Sequence, residues 1–283
     1  MAESMFLTIN GNRLYVEDHG PRDGIPMIVH HGAPGLSDHK EPKRAFAIPF
    51  SDKYRVIVFD ARGSGRSEGN PPFTHEQWAA DVDALRAHFG FEKIIMAGGS
   101  YGGFMSMEYA IRYPDRVLAL ILRDTAADND HHEVAIQNAL KSTRVKVDPE
   151  KLARVMEGRC YSNEDMMECY KEIQPLYNHE WDPEKDAARL KEIIFRYETH
   201  NFAFTYNMKH YDLKPHLPSI RVPTLIIVGR HDWITPVECS EEIHRLIPNS
   251  RLEIFENSGH SPQLEEPERF QQVVREFLAS NGL

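Results

Sequence analysis

Three cysteines in a chain of 283 residues cannot build a disulfide framework. Cys160, Cys169 and Cys239 are odd in number and lack metal-ligand spacing, so they read as reduced thiols of an intracellular protein. No apolar run approaches the ~20 residues that cross a bilayer, which excludes an integral membrane protein. Basic residues are outnumbered, 33 Lys and Arg against 43 Asp and Glu, for a net charge of −10. That balance repels a phosphate backbone and no basic stripe offsets it, so nucleic acid is not an expected partner. The opening MAESMFLTINGN carries an acid early and has no apolar stretch of the kind a secretory signal needs. The cytoplasm is the expected compartment. What is there is a globular profile, 41% hydrophobic and 27% charged, near the upper length that one hydrophobic core serves.

Short apolar runs alternate with helical patterns. Phe6–Ile9 and Arg13–Glu17 flank Asn10-Gly11, a hairpin signal because both turn residues must tolerate positive φ. Buried-strand runs follow at Ile25–His30, Arg55–Phe59, Lys93–Ala97, Val117–Leu122, Thr224–Val228 and Leu252–Phe255. A helix opens at Thr74-His-Glu-Gln77 with a capping-box pattern. Others are expected over Phe104–Tyr113, Val237–Leu246 and Pro267–Ala279. A leading hairpin followed by strand–helix units predicts an α/β fold with a mostly parallel sheet flanked by helices. From about Thr125 to Pro215 the pattern is helical throughout. The expectation is therefore an all-helical cap, 125–215, inserted after the sixth strand of a core made of 1–124 and 216–283.

Gly98-Gly-Ser-Tyr-Gly102 sits between a strand and a helix. A G-x-S-x-G segment in that setting holds its serine at a strained corner, where neighbours two positions away must be small. Ser100 is thus the candidate nucleophile. A serine hydroxyl needs a base, and the base an orienting acid. Asp232 follows the strand Thr224–Val228 and His260 follows Leu252–Phe255. The chain order Ser, Asp, His and the strand-end placement both match that requirement. Among fifteen histidines only His260 lies after the last strand beside a glycine. Asp124 is a fallback acid.

An acyl-transfer transition state puts negative charge on the carbonyl oxygen, where two backbone N–H donors should meet it. Tyr101, after the nucleophile, supplies one candidate. The loop His30-His-Gly-Ala-Pro-Gly35 supplies the other at Ala33, because Pro34 has no N–H. His31 reads as a structural ligand of that loop. The glycines of Asp60–Ser67 match neither GxxxxGK[ST] nor a GxGxxG that opens a helix; Asp60 and Arg62 are expected to tie their loop to its neighbours. No metal or cofactor is implied.

These segments together, HGAPG, DARGSGRS, GGSYGG, GRHDWITP and SGHSP in that order, resemble the α/β-hydrolase superfamily over nearly the whole chain. Within it the chain looks most like the proline iminopeptidase-like serine aminopeptidases. That group shows HGGPG and GGSWG where this chain has Ala33 and Tyr101. The resemblance implies an α/β-hydrolase fold. It also implies a cap glutamate that holds the substrate's free ammonium. Tyr197-Glu-Thr-His-Asn-Phe202 resembles the group's I-E-N-H-Y-F segment and makes Glu198 the candidate.

Three functions fit. The first is a serine aminopeptidase on short peptides. The second is an esterase or lactonase of small molecules with the same machinery. The third is a non-catalytic receptor on the same fold. Dehalogenase and epoxide hydrolase chemistry would need an acid where Ser100 stands. Which substrate is taken, and the oligomeric state, are not legible here.

Overall fold

The computed structural model describes residues 2–283. Eight strands form one sheet: β1 Glu3–Ile9, β2 Asn12–His19, β3 Ile25–His30, β4 Tyr54–Phe59, β5 Ile94–Gly99, β6 Val117–Arg123, β7 Thr224–Gly229 and β8 Ser250–Phe255. Their order is β1-β2-β4-β3-β5-β6-β7-β8. β1 and β2 form the expected hairpin, with Asn10 and Gly11 both at positive φ. β2 runs antiparallel to β4, and every later pairing is parallel. Parallel strands need crossovers, and the helices that make them cover both faces.

Helix α1, His75–His88, begins where the capping pattern places it, with the Thr74 side chain accepting from Gln77 N–H at 3.2 Å. Helix α2, Tyr101–Arg112, starts three residues earlier than expected because it follows the corner at Ser100 directly. One apolar cluster joins α1 and α2 to one sheet face through Trp78, Leu85, Met105 and Ile28. A second, on Phe46, Phe50 and Phe270, covers the other. Residues 40–50 add a helical stretch with one π turn that the sequence reading missed. Pro42 and Pro49 lie within it, and interior prolines disguise a helix.

Between β6 and β7 the chain passes through α3 His131–Leu140, α4 Pro149–Met156, α5 Asn163–Ile173, α6 Pro183–Glu192 and α7 Tyr197–Phe202. These helices enclose a third apolar cluster that includes Leu152, Met166 and Trp233. The two ends of this stretch meet: Asp128 bridges Asp212, and Leu213 N–H donates to the Ala127 carbonyl at 2.8 Å. The remaining helices are α8 Val237–Leu246, α9 Pro262–Glu265 and α10 Pro267–Ser280. None of the described helices is long and apolar enough to cross a membrane.

Candidate active site

β5 ends in the corner that carries Ser100, whose φ of 54° and ψ of −124° lie outside the ordinary regions for an L residue. The backbone is held there from both sides. Ser100 N–H donates to the Arg123 and Asp124 carbonyls at 2.8 and 3.1 Å. Its own carbonyl accepts from Thr125 Oγ1 at 2.9 Å. A side chain at Gly98 would place its Cβ 2.2 Å from the Gly102 carbonyl oxygen, and one at Gly102 would lie 2.3 Å from that of His30. Both glycines are therefore required by close backbone approach.

Asp232 and His260 come from different loops, after β7 and β8. Those loops are stitched together by Arg230 N–H to the Phe255 carbonyl and His231 N–H to that of Ser258, both at 2.9 Å. The stitching sets His260 Nδ1 2.7 Å from Asp232 Oδ2. Asp232 also accepts from the backbone of Ile234 and Thr235 and from Thr235 Oγ1 at 2.8 Å. An anion so bonded fixes the imidazole with its proton on Nδ1. His260 Nε2 is enclosed and has no hydrogen-bond partner among the described residues, and His260 shares a cavity wall with Ser100. Burial opposes ionisation of both groups. The attraction between them outweighs it, holding Asp232 below its ordinary value and His260 above.

Asp124, the fallback acid, is at positive φ and wholly buried. Its Oδ1 accepts from Gly229 N–H at 2.9 Å and its Oδ2 from Arg123 at 3.1 Å. Burial, reinforced by the charge on Asp232, raises its carboxyl well above the usual range. Asp232, not Asp124, bonds the histidine. Asp124, Asp232 and His260 bring ligand atoms within 4.8 Å of one another, but the Nδ1 proton and the donors around Asp232 make this an ion pair rather than a cation site.

Both oxyanion candidates are placed near the serine. Ala33 and Tyr101 line the space beside Ser100, and no hydrogen bond among the described residues engages either N–H. His31 stays with its loop, Nε2 accepting from Ala61 N–H and Nδ1 donating to the Gly32 carbonyl, each at 3.0 Å. Asp60 accepts from His39 and from Arg66 N–H, and Arg62 pairs with Asp81. Both tie their loop as expected.

Glu198, the candidate ammonium anchor, stands apart from the serine. It is exposed on α7 and lines neither cavity at Ser100. The helix turns its neighbours Thr199 and His200 inward instead, so Glu198 points away from any ligand at the serine. The segment's letters match, but its helical phase does not deliver the acid. Residues the sequence reading missed include Tyr177, whose carbonyl accepts His260 N–H at 2.7 Å and whose ring stands 5.4 Å from the imidazole. Arg123 bonds the His260 carbonyl at 3.1 Å and Glu41 at 2.6 Å. Glu265 accepts from Gly259, His179 and Glu180 N–H. No local pattern marks these three, because each works across a long sequence separation.

Two cavities meet at Ser100 and share Ala33, Leu36 and Tyr177. The larger, ≈ 1070 Å³ with its mouth, carries charged walls and His260. The smaller, ≈ 580 Å³, is walled by Phe104, Met156, Ile173, Phe204 and Met208, and holds no acid. Burial lowers the imidazoles of His131 and His200 beside it to about 4.

A strained serine at a strand–helix corner, sharing a cavity with a histidine clamped by an aspartate, defines a class of hydrolases built on this sheet. The alpha/beta hydrolase fold family matches residues 25–267, and the chain belongs to it, as a serine hydrolase. The chain is 35% identical over 278 residues to "Proline iminopeptidase PfmaB" of Pestalotiopsis fici, covering 96% of this chain and 98% of that protein. It is 28% identical to "Proline iminopeptidase" of Clostridioides difficile, covering 90% of each. A solved thermophilic esterase from Thermogutta terrifontis superposes with a TM-score of 0.74 at 31% identity, covering 99% of each chain.

The histidine gives a pH prediction. It can accept the serine proton only when neutral, so kcat/KM falls as pH drops through its pKa. Because the Asp232 charge raises that pKa, the midpoint of the acid limb is expected above about 6.5, the ordinary histidine value. A pH–rate profile of the free enzyme checks this; a midpoint well below 6.5 would sink the proposed pairing.

Proposed function

We propose that the protein cleaves acyl bonds of small-molecule or short-peptide substrates by two-step transfer through Ser100, in the cytoplasm. Ser100 Oγ attacks the carbonyl while His260 Nε2 takes its proton. The Ala33 and Tyr101 N–H groups stabilise the oxyanion. His260 returns the proton to the leaving group, the acyl–Ser100 ester remains, and water activated by His260 releases the acid and restores the serine. Asp232 orients the imidazole and stabilises its cation. Helices α3–α7, within 125–215, act as a cap over the serine. The observation that carries this reading is the unpartnered Nε2 of His260 in the cavity of Ser100, with Nδ1 clamped at 2.7 Å.

Two substrate classes compete. The relatives' names favour an aminopeptidase on short peptides. The absence of an acid from the smaller cavity, and the outward Glu198, favour an esterase or lactonase, because a free ammonium beside the carbonyl would have no counter-charge there. We take the ester reading as the better supported. The test is a paired assay of proline-naphthylamide beside short-chain esters and lactones, with Ser100→Ala as the blank. Ester or lactone turnover is expected to dominate. Amide turnover that requires a free amine would reverse the choice in favour of the aminopeptidase.

A further inference from the structure

The two cavities at Ser100 are not equivalent, and the catalytic proton distinguishes them. His260 must deliver that proton to the leaving atom, so the leaving group lies on the side of His260. His260 lines only the larger, charged cavity. The acyl group is left with the smaller one, whose wall is largely apolar and carries no acid, with Asn129 Oδ1 and His200 Nδ1 as enclosed polar atoms without partners.

Most charges in the larger cavity cancel. Asp38 pairs with Lys40, Glu192 with Arg44, and Glu41 with Arg123. Asp186, on α6, is left over. It forms no ion pair among the described residues, although it is only 6% exposed, and its Oδ2 is enclosed with no hydrogen-bond partner. Gln174 donates to the Asp186 backbone carbonyl at 2.8 Å, which leaves the carboxylate itself unbonded by that amide. Burial raises the Asp186 carboxyl, and the charge of Arg189, one turn on and half-exposed on the same wall, together with the Trp181 side chain, opposes that without forming an ion pair. Two further enclosed acceptors on this side, Gln263 Oε1 and Asn178 Oδ1, are also unpartnered, as is one donor, Arg123 Nε. A buried carboxylate oxygen without a donor is costly unless a ligand completes it.

Resting on the acyl-transfer reading above, we propose that the substrate has an apolar, uncharged acyl half and an amine-bearing leaving half, and that Asp186 selects that amine. Ser100 takes the acyl half. His260 protonates the leaving oxygen or nitrogen, which departs with its amine still on Asp186, and water then frees the acid. Asp186 is a specificity-determining residue here and takes no part in the proton transfers.

The experiment compares two phenylacetate esters, of 3-aminopropanol and of butanol, which differ chiefly in the terminal amine. The wild-type protein is expected to favour the amino ester roughly tenfold to a hundredfold in kcat/KM, the range of a charge-assisted hydrogen bond. In Asp186→Asn that ratio is expected to fall to near one, and Asp186→Glu to recover part of it. A second pair moves the amine to the acyl half: phenylalanine butyl ester against 3-phenylpropanoate butyl ester, with the amine-free ester expected to be faster. A wild-type ratio near one for the first pair overturns the proposal without any need for a variant. So does a ratio unchanged by Asp186→Asn, or a faster phenylalanine ester. Fluorophosphonate labelling of Ser100 separates the two readings. Labelling with no turnover of any of these esters overturns the substrate assignment alone, and no labelling overturns the acyl-transfer mechanism as well.

Discussion

Ser100→Ala is expected to lower kcat by roughly 10⁶-fold, the scale seen when a triad nucleophile is removed. Each factor of ten is about 1.4 kcal/mol, so about 8 kcal/mol of transition-state stabilisation is lost. The fold should survive. The corner's positive φ is imposed by hydrogen bonds to the Arg123 and Asp124 carbonyls and from Thr125, none of which uses the serine hydroxyl. Alanine is no worse suited to that φ than serine. The Ala33 and Tyr101 donors also remain, so residual activity should stay above the uncatalysed rate. Steady-state kinetics on any substrate found in the paired assay, together with a thermal melt, give the answer. A loss of less than about a hundredfold, with an unchanged melt, would mean that another nucleophile works in this cavity.

The second largest effect is expected from Asp232→Asn, a loss of about 10⁴-fold in kcat with the geometry kept. The introduced amide turns a donor toward His260 Nδ1 and favours the tautomer that leaves Nε2 protonated, unable to accept from Ser100. The acid limb of the pH profile should also move down, because burial then acts on His260 without the opposing charge. Asp124 does not take over. Its Oδ1 accepts from Gly229 N–H and its Oδ2 pairs with Arg123, and it makes no hydrogen bond to His260, whose Nδ1 meets Asp232. Asp124→Asn in the wild-type background should cost far less than Asp232→Asn, because Asp232 and not Asp124 bonds His260 Nδ1. If the two single variants lose activity equally, the acid has been wrongly assigned.

The stretch between β6 and β7 also touches the histidine loop. Tyr177 comes from the stretch after α5, and its carbonyl fixes the backbone of His260. Arg44 on the core meets Glu192 at the end of α6. The segment after α5 therefore bonds the His260 loop, and α6 lines the larger cavity.

Much of the site was legible in the sequence because its residues obey local backbone rules. Gly98 and Gly102 flank Ser100 at a spacing that only a tight strand–helix corner demands, and the close contacts at both glycines bear this out. Asp232 and His260 follow strands of a parallel sheet, and chain order sufficed to bring their loops to the same edge. Asn10-Gly11 likewise determined the opening hairpin. The tertiary structure alone decided which way a helix faces and what stands opposite it. Glu198 sits in a segment of matching letters, yet α7 turns it to solvent and buries Thr199 and His200. Asp186 looks like any polar residue of a charged helix, and its enclosure arises only when α6 packs in the tertiary structure. A motif residue is set by the few peptide units around it. A cap residue is set by how several amphipathic helices pack, and a helix-period pattern permits more than one such packing.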